Sequence, residues 1–140
     1  MCIRDSIYTG QPIDIRHYDV DHFVPWSYIT NDEIWNLMPV DSSVNSSKNN
    51  RLPIWEKYFP RFANNQFVMY ENIYKYEELL NRFKDCYRDN IVSIWASEEL
   101  YIQGNTKEKF YNILESNMKP IYDAARLQGY SIWQNSLCHS

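Results

Sequence analysis

Apolar and polar residues alternate from Tyr18 to Phe23 (Tyr-Asp-Val-Asp-His-Phe) with the two-residue period of a strand. Tyr18, Val20 and His22 fall on one face, and Asp19, Asp21 and Phe23 on the other. Adjacent Asp21 and His22 therefore diverge unless the strand ends there, and Pro25 supplies an end. Upstream, Thr9-Gly10-Gln11-Pro12 is a turn signal between short β-prone runs, so a small hairpin or extended lead-in is predicted over 7–15. Trp26 to Glu33 reads as a loop, with one helical turn at Asn31-Asp32-Glu33 capped by Thr30 or Asn31. A second strand is predicted over Trp35–Val40, closed by Pro39. Asp41-Ser42-Ser43 then offers N-cap chemistry for a short helix to about Asn50, and Pro53 ends the segment.

Beyond Ile54 the period lengthens to that of helices. Pro60 can open a helix through about Tyr74. Leu79, Leu80, Phe83 and Tyr87 fit a second helix over 77–87, and Ile91, Ile94, Trp95 and Leu100 a third, broken by Gly104. Asn105 with Glu108 resembles a capping box for a helix holding Phe110, Ile113 and Leu114, and Pro120 is predicted to start a last helix ended by Gly129. The fold class is therefore α+β: a strand–loop–strand–helix module over 7–53, then a mostly α-helical region over 54–140 packed on it. The aromatic stripes of that region read as core rather than base-stacking platforms.

The 5 Trp, 12 Tyr and 6 Phe in 140 residues are ample for a compact core. No apolar run approaches the ~20 residues a membrane helix needs. Cys2, Cys86 and Cys138 lie far apart with no CxxC pair, which argues against a structural zinc site or disulfide framework and points to a cytoplasmic protein. Met1–Ser6 reads as translated sequencing adapter, so the natural chain is expected to extend upstream, where a recognition domain would lie. Net charge is −4, which disfavours a broad basic surface for nucleic acid. Between Ile7 and Pro53, six acids (Asp14, Asp19, Asp21, Asp32, Glu33, Asp41) face only Arg16, Lys48 and Arg51. If this module meets DNA, a divalent cation must supply much of the positive charge.

That requirement matches the polar residues of the same stretch. Phosphodiester hydrolysis needs an activated water, charge stabilisation at phosphate and help for the leaving 3′ oxygen, and one divalent cation can serve the last two. A neutral histidine, with an ordinary pKa of ~6.5, can take the proton of the attacking water. Asp and Asn oxygens suit hard Mg²⁺ or Mn²⁺. Asp21, His22 and Asn45 make that set, with Lys48 one helical turn after Asn45 as a point charge for phosphate. Asp-His alone is a common dipeptide; its combination with Pro25, Asn36-Leu37 and Asn45-x-x-Lys48 is specific.

Asp21-His22-Phe23-Val24-Pro25, Asn36-Leu37 and Asn45-Ser-Ser-Lys48-Asn49-Asn50 closely resemble the HNH endonuclease family in its Asp-His…Asn…Asn form. The resemblance implies a ββα-metal fold over 7–53 and metal-dependent hydrolysis of DNA. It implies His22 as general base, Asp21 and Asn45 as metal ligands, Asn36 as the residue that ties the loop and orients the base, and Lys48 at phosphate. Asn45 replaces the final His of many members, which favours Mg²⁺ or Mn²⁺ over Zn²⁺. Tyr8-Thr9-Gly10 stands where a zinc-binding cysteine pair often begins, so no structural zinc is expected. Arg51 and Arg16 are candidate DNA-backbone contacts. The helical region resembles, more loosely, tails of bacterial HNH proteins of unassigned role. The alternative reading is a catalytically inactive HNH-fold module that binds nucleic acid or a partner.

Overall fold

The computed structural model describes residues 5–14, 16–78, 81 and 93–135. Strand β1 (Tyr18–His22) pairs antiparallel with β2 (Leu37–Asp41), with Asp21 opposite Met38 and His22 opposite Leu37. Between them lie a short helix α1 (Trp26–Ile29) and a 3₁₀ turn (Ile34–Asn36). Helix α2 (Ser42–Lys48) follows β2 directly and packs on both strands. The α+β order of strand, loop, strand and helix is thus the observed one.

Details of this module differ from the sequence reading. The helical turns sit on either side of 31–33, because Thr30 takes a left-handed φ of 56° and Asn31 Oδ1 accepts the Glu33 N–H in a local turn at 3.2 Å. Trp35 and Asn36 belong to the 3₁₀ turn and not to β2. Pro39 lies inside β2 rather than closing it; a two-stranded sheet leaves each strand one open edge where proline is tolerated. The expected lead-in turn forms at Gly10 (φ 73°), with Asp5 bridged to Pro12 and Ser6 Oγ accepting the Tyr8 N–H.

The helical region contributes α3 (Trp55–Lys75), a π-helical turn (Ala96–Leu100) and α4 (Lys107–Leu127). Neither predicted proline start is observed: Pro60 and Pro120 both lie inside longer helices. Each proline loses one i→i−4 bond. Trp55, Tyr58 and Phe59 before Pro60, and Tyr122 and Ala125 after Pro120, extend buried faces across both positions. The cap of α4 is Thr106, whose Oγ1 accepts the Lys109 N–H at 3.1 Å; Asn105 instead donates to the carbonyls of Glu99 and Leu100. The helix expected over 77–87 falls largely outside the described residues, as do Cys2, Cys86, Cys138 and His139.

One hydrophobic core joins both parts. Phe23, next to His22, is fully buried against Phe62 (ring centroids 4.8 Å apart), Trp55 and Phe59. Burial of such a ring contributes on the order of 2–3 kcal/mol. Leu52 bridges to the chain near Trp133, donating to Ser131 O at 2.9 Å and accepting from the Trp133 N–H at 2.7 Å. Trp133 Nε1 in turn donates to Ser47 of α2, and Tyr122 Oη to Pro53 O. The helical region therefore braces both α2 and the end of β1. Among the described residues no helix is long and apolar enough to cross a membrane.

Candidate active site

The face of β1 that carries Asp19 and Asp21 is covered by α2. Asn45 and Lys48, three residues apart, project from one side of that helix. Lys48 is fully buried, and its ammonium lies 3.2 Å from Asp21 Oδ2 and 3.4 Å from Oδ1. The same ammonium donates to the main-chain carbonyl of His22 at 2.8 Å. Lys48 thus fastens α2 to both residues of the Asp-His pair and is turned inward, away from any phosphate at the surface. Burial pushes the Asp21 carboxyl up from the usual aspartate value against the opposing pull of Lys48, and pushes the Lys48 ammonium down. Beneath them Tyr8 is fully buried, its hydroxyl pushed up first by burial and then by the Asp21 charge.

Asn45 Nδ2 donates to Asp19 Oδ2 at 3.1 Å, while Ser42 Oγ donates to Asp19 Oδ1 at 3.2 Å. Asp19 was not singled out in the sequence, yet it decides which end of the Asn45 amide is which. With the NH₂ spent on Asp19, the amide oxygen remains the free donor atom for a cation.

Alternation turns the His22 ring away from Asp21. The ring is partly exposed and its Nε2 lies 2.8 Å from Asp32 Oδ1 in the loop after α1. Two residues on, the buried Asn36 side chain forms a two-point clasp with Val24. Its Oδ1 accepts the Val24 N–H and its Nδ2 donates to Val24 O, each at 2.9 Å. The Asn36 carbonyl also accepts the Phe23 N–H at 2.9 Å. The loop is pinned a second time by buried Glu33, whose two carboxylate oxygens accept the N–H and hydroxyl of Ser93 at 2.8 Å each.

Arg51 caps the C-terminus of α2 through the carbonyls of Ser47 and Lys48, so its guanidinium is engaged within the protein. Asn49 is the C-cap of that helix, with φ 50°. Arg16 and His17 are exposed.

Hard-cation chemistry fits the residues present. The buried Asp21 carboxylate lies beside the Lys48 ammonium and the Tyr8 hydroxyl with its Oδ2 lacking a hydrogen-bond partner, and the Asn45 amide oxygen is a neutral donor on the adjoining helix. Among the described residues no three His, Cys, Asp or Glu side chains converge, so a carboxylate plus an amide is the set on offer.

Comparison with known proteins agrees with this geometry. Residues 6–54 match the family model described as HNH endonuclease. A CRISPR-associated endonuclease Cas9 of Listeria innocua is 37% identical over an alignment covering 39% of this chain and 5% of that protein. The chain thus spans a small fraction of that relative's length. Match, motif and strand–strand–helix architecture together identify residues 6–54 as an HNH endonuclease family domain.

Proposed function

We propose that this domain hydrolyses DNA phosphodiester bonds with one divalent cation, His22 acting as general base. The observation that carries the reading is the Lys48 clasp, which holds Asp21 and the His22 main chain to one helix and so fixes the spacing between carboxylate and base. Asp21 and Asn45 would hold Mg²⁺ or Mn²⁺. When bound, the cation supplies charge stabilisation at the scissile phosphate and at the leaving 3′ oxygen.

Every other contribution is the chain's own. His22 Nδ1 accepts a proton from water as the water oxygen attacks phosphorus and the bond to the 3′ oxygen breaks. The 3′ oxygen takes a proton from solvent as it leaves and His22 returns its proton to solvent, so the products are a 5′-phosphate and a 3′-hydroxyl. Asn36 keeps the His22–Val24 backbone in place by its clasp on Val24. Lys48 positions the Asp21 carboxylate, and a contact of Lys48 with phosphate requires it to leave that partner. Arg16, exposed beside β1, is free for the DNA backbone, and Arg51 adds positive charge at the end of α2.

One observation favours the alternative of a non-catalytic nucleic-acid-binding module: Asp21 is only 5% exposed and already paired with Lys48. End-labelled duplex and single-stranded DNA, incubated with the protein in EDTA, Mg²⁺ or Mn²⁺, separate the two. The proposal expects shortened, 5′-phosphorylated products with Mg²⁺ or Mn²⁺ and none with EDTA. DNA retained on the protein but intact under every condition supports the alternative.

A further inference from the structure

The geometry points to Asp32 as the positioning residue of the general base, fixing the His22 ring so that Nδ1 carries the reactive lone pair. This rests on the reading of His22 as the base. Three observations bring it together. First, His22 Nε2 and Asp32 Oδ1 are 2.8 Å apart. An ionised carboxylate can only accept, so Nε2 carries the hydrogen and Nδ1 is left as the acceptor.

Second, Asp32 is not held by chance on a loose loop, although its own side chain is 68% exposed. Glu33 beside it is buried, bonded to Ser93 through both carboxylate oxygens, and its carbonyl accepts the Asn36 N–H at 3.1 Å. Asn31 on the other side accepts the Glu33 N–H. The backbone that carries Asp32 is therefore fixed from both flanks. Third, no other described side chain is bonded to the His22 ring. Lys48 secures the His22 main chain and Asn36 the backbone two residues on, but neither decides which ring nitrogen holds the hydrogen.

The arrangement also gives Glu33 and Ser93 a place in the reaction. They tie the Asp32 loop to the helical region, so that region helps aim the base without touching substrate.

The test compares wild type, Asp32→Ala and Asp32→Asn in the full chain by long-range ¹H–¹⁵N NMR of the imidazole. Spectra are recorded in the pH range over which the imidazole signals no longer move with pH. Steady-state cleavage is measured alongside. Wild type is expected to hold the Nε2–H tautomer. Asp32→Ala is expected to give a mixture and a kcat about ten-fold lower, the low end for loss of an orienting partner, with KM and urea midpoint unchanged. Asp32→Asn keeps an accepting oxygen and is expected to restore most of the tautomer and rate. An unchanged tautomer ratio in Asp32→Ala overturns the inference, and so does a shifted ratio with unchanged kcat. Full cleavage by His22→Ala defeats the underlying reading of the base, while the tautomer comparison still reports on Asp32.

Discussion

Truncating Asn36 to alanine removes both halves of the clasp on Val24. The two bonds are 2.9 Å each, and Asn36 and Val24 are both fully buried, so no water replaces the lost partner. Each stranded backbone group costs about 1–3 kcal/mol, giving about 2–6 kcal/mol for the pair. Against the ~5–15 kcal/mol typical of a domain this is a large share. Urea unfolding of Asn36→Ala is expected to show a lower midpoint with unchanged slope, beside an exposed-site control, Ser46→Ala, that moves by less than ~0.5 kcal/mol. Hydrogen exchange should locate the loss, with the Val24 amide deprotected ahead of core amides in α3. Cleavage should fall as well, since His22 lies two residues from the released amide. A loss below ~1 kcal/mol with the Val24 amide still protected would refute the reasoning, because the clasp would then hold nothing.

Asp21→Ala strands the Lys48 ammonium in the core and is expected to destabilise by about 3–5 kcal/mol in urea titration, whereas Asp21→Ala/Lys48→Met recovers most of that loss. A saturating divalent cation at one hundred times its dissociation constant should raise wild-type stability by about 2.7 kcal/mol in thermal unfolding and leave the double variant unmoved. Asp19→Ala frees the Asn45 amide to flip and is expected to weaken Mn²⁺ affinity by about ten-fold in a titration followed by electron paramagnetic resonance. Ser93→Ala removes the hydroxyl donor to buried Glu33; it should lower stability by about 1 kcal/mol and slow cleavage less than Asp32→Ala does.

Strand, loop, strand and helix were legible because their signals are local. The two-residue alternation of Tyr18–Phe23 acts within one strand, and the start of α2 falls at Asp41 as expected although no side chain caps it. Motif resemblance marked Asn36 as the expected loop tie, and its side chain bonds both backbone groups of Val24. Asp19 and Asp32 escaped, since their partners Asn45 and His22 lie 26 and 10 residues away and depend on how the loop and α2 fold back. The sequence placed Lys48 at phosphate and did not show it as buried, since a lysine on a polar helix face gives no sign that the face meets an acidic strand. Prolines 60 and 120 misled because propensity marks them as helix starts, while the aromatic rows flanking them were strong enough to carry each helix through.

The most direct test is relaxation of supercoiled plasmid at neutral pH by wild type, His22→Ala and Asp21→Ala/Lys48→Met, each shown to be folded, with Mn²⁺ occupancy measured on the same samples. Wild type is expected to nick in Mg²⁺ or Mn²⁺ and not in EDTA, His22→Ala to bind metal but leave DNA intact, and the double variant neither to bind nor to nick. Nicking by His22→Ala at the wild-type rate, or Mn²⁺ bound equally by the double variant, would contradict the proposed mechanism.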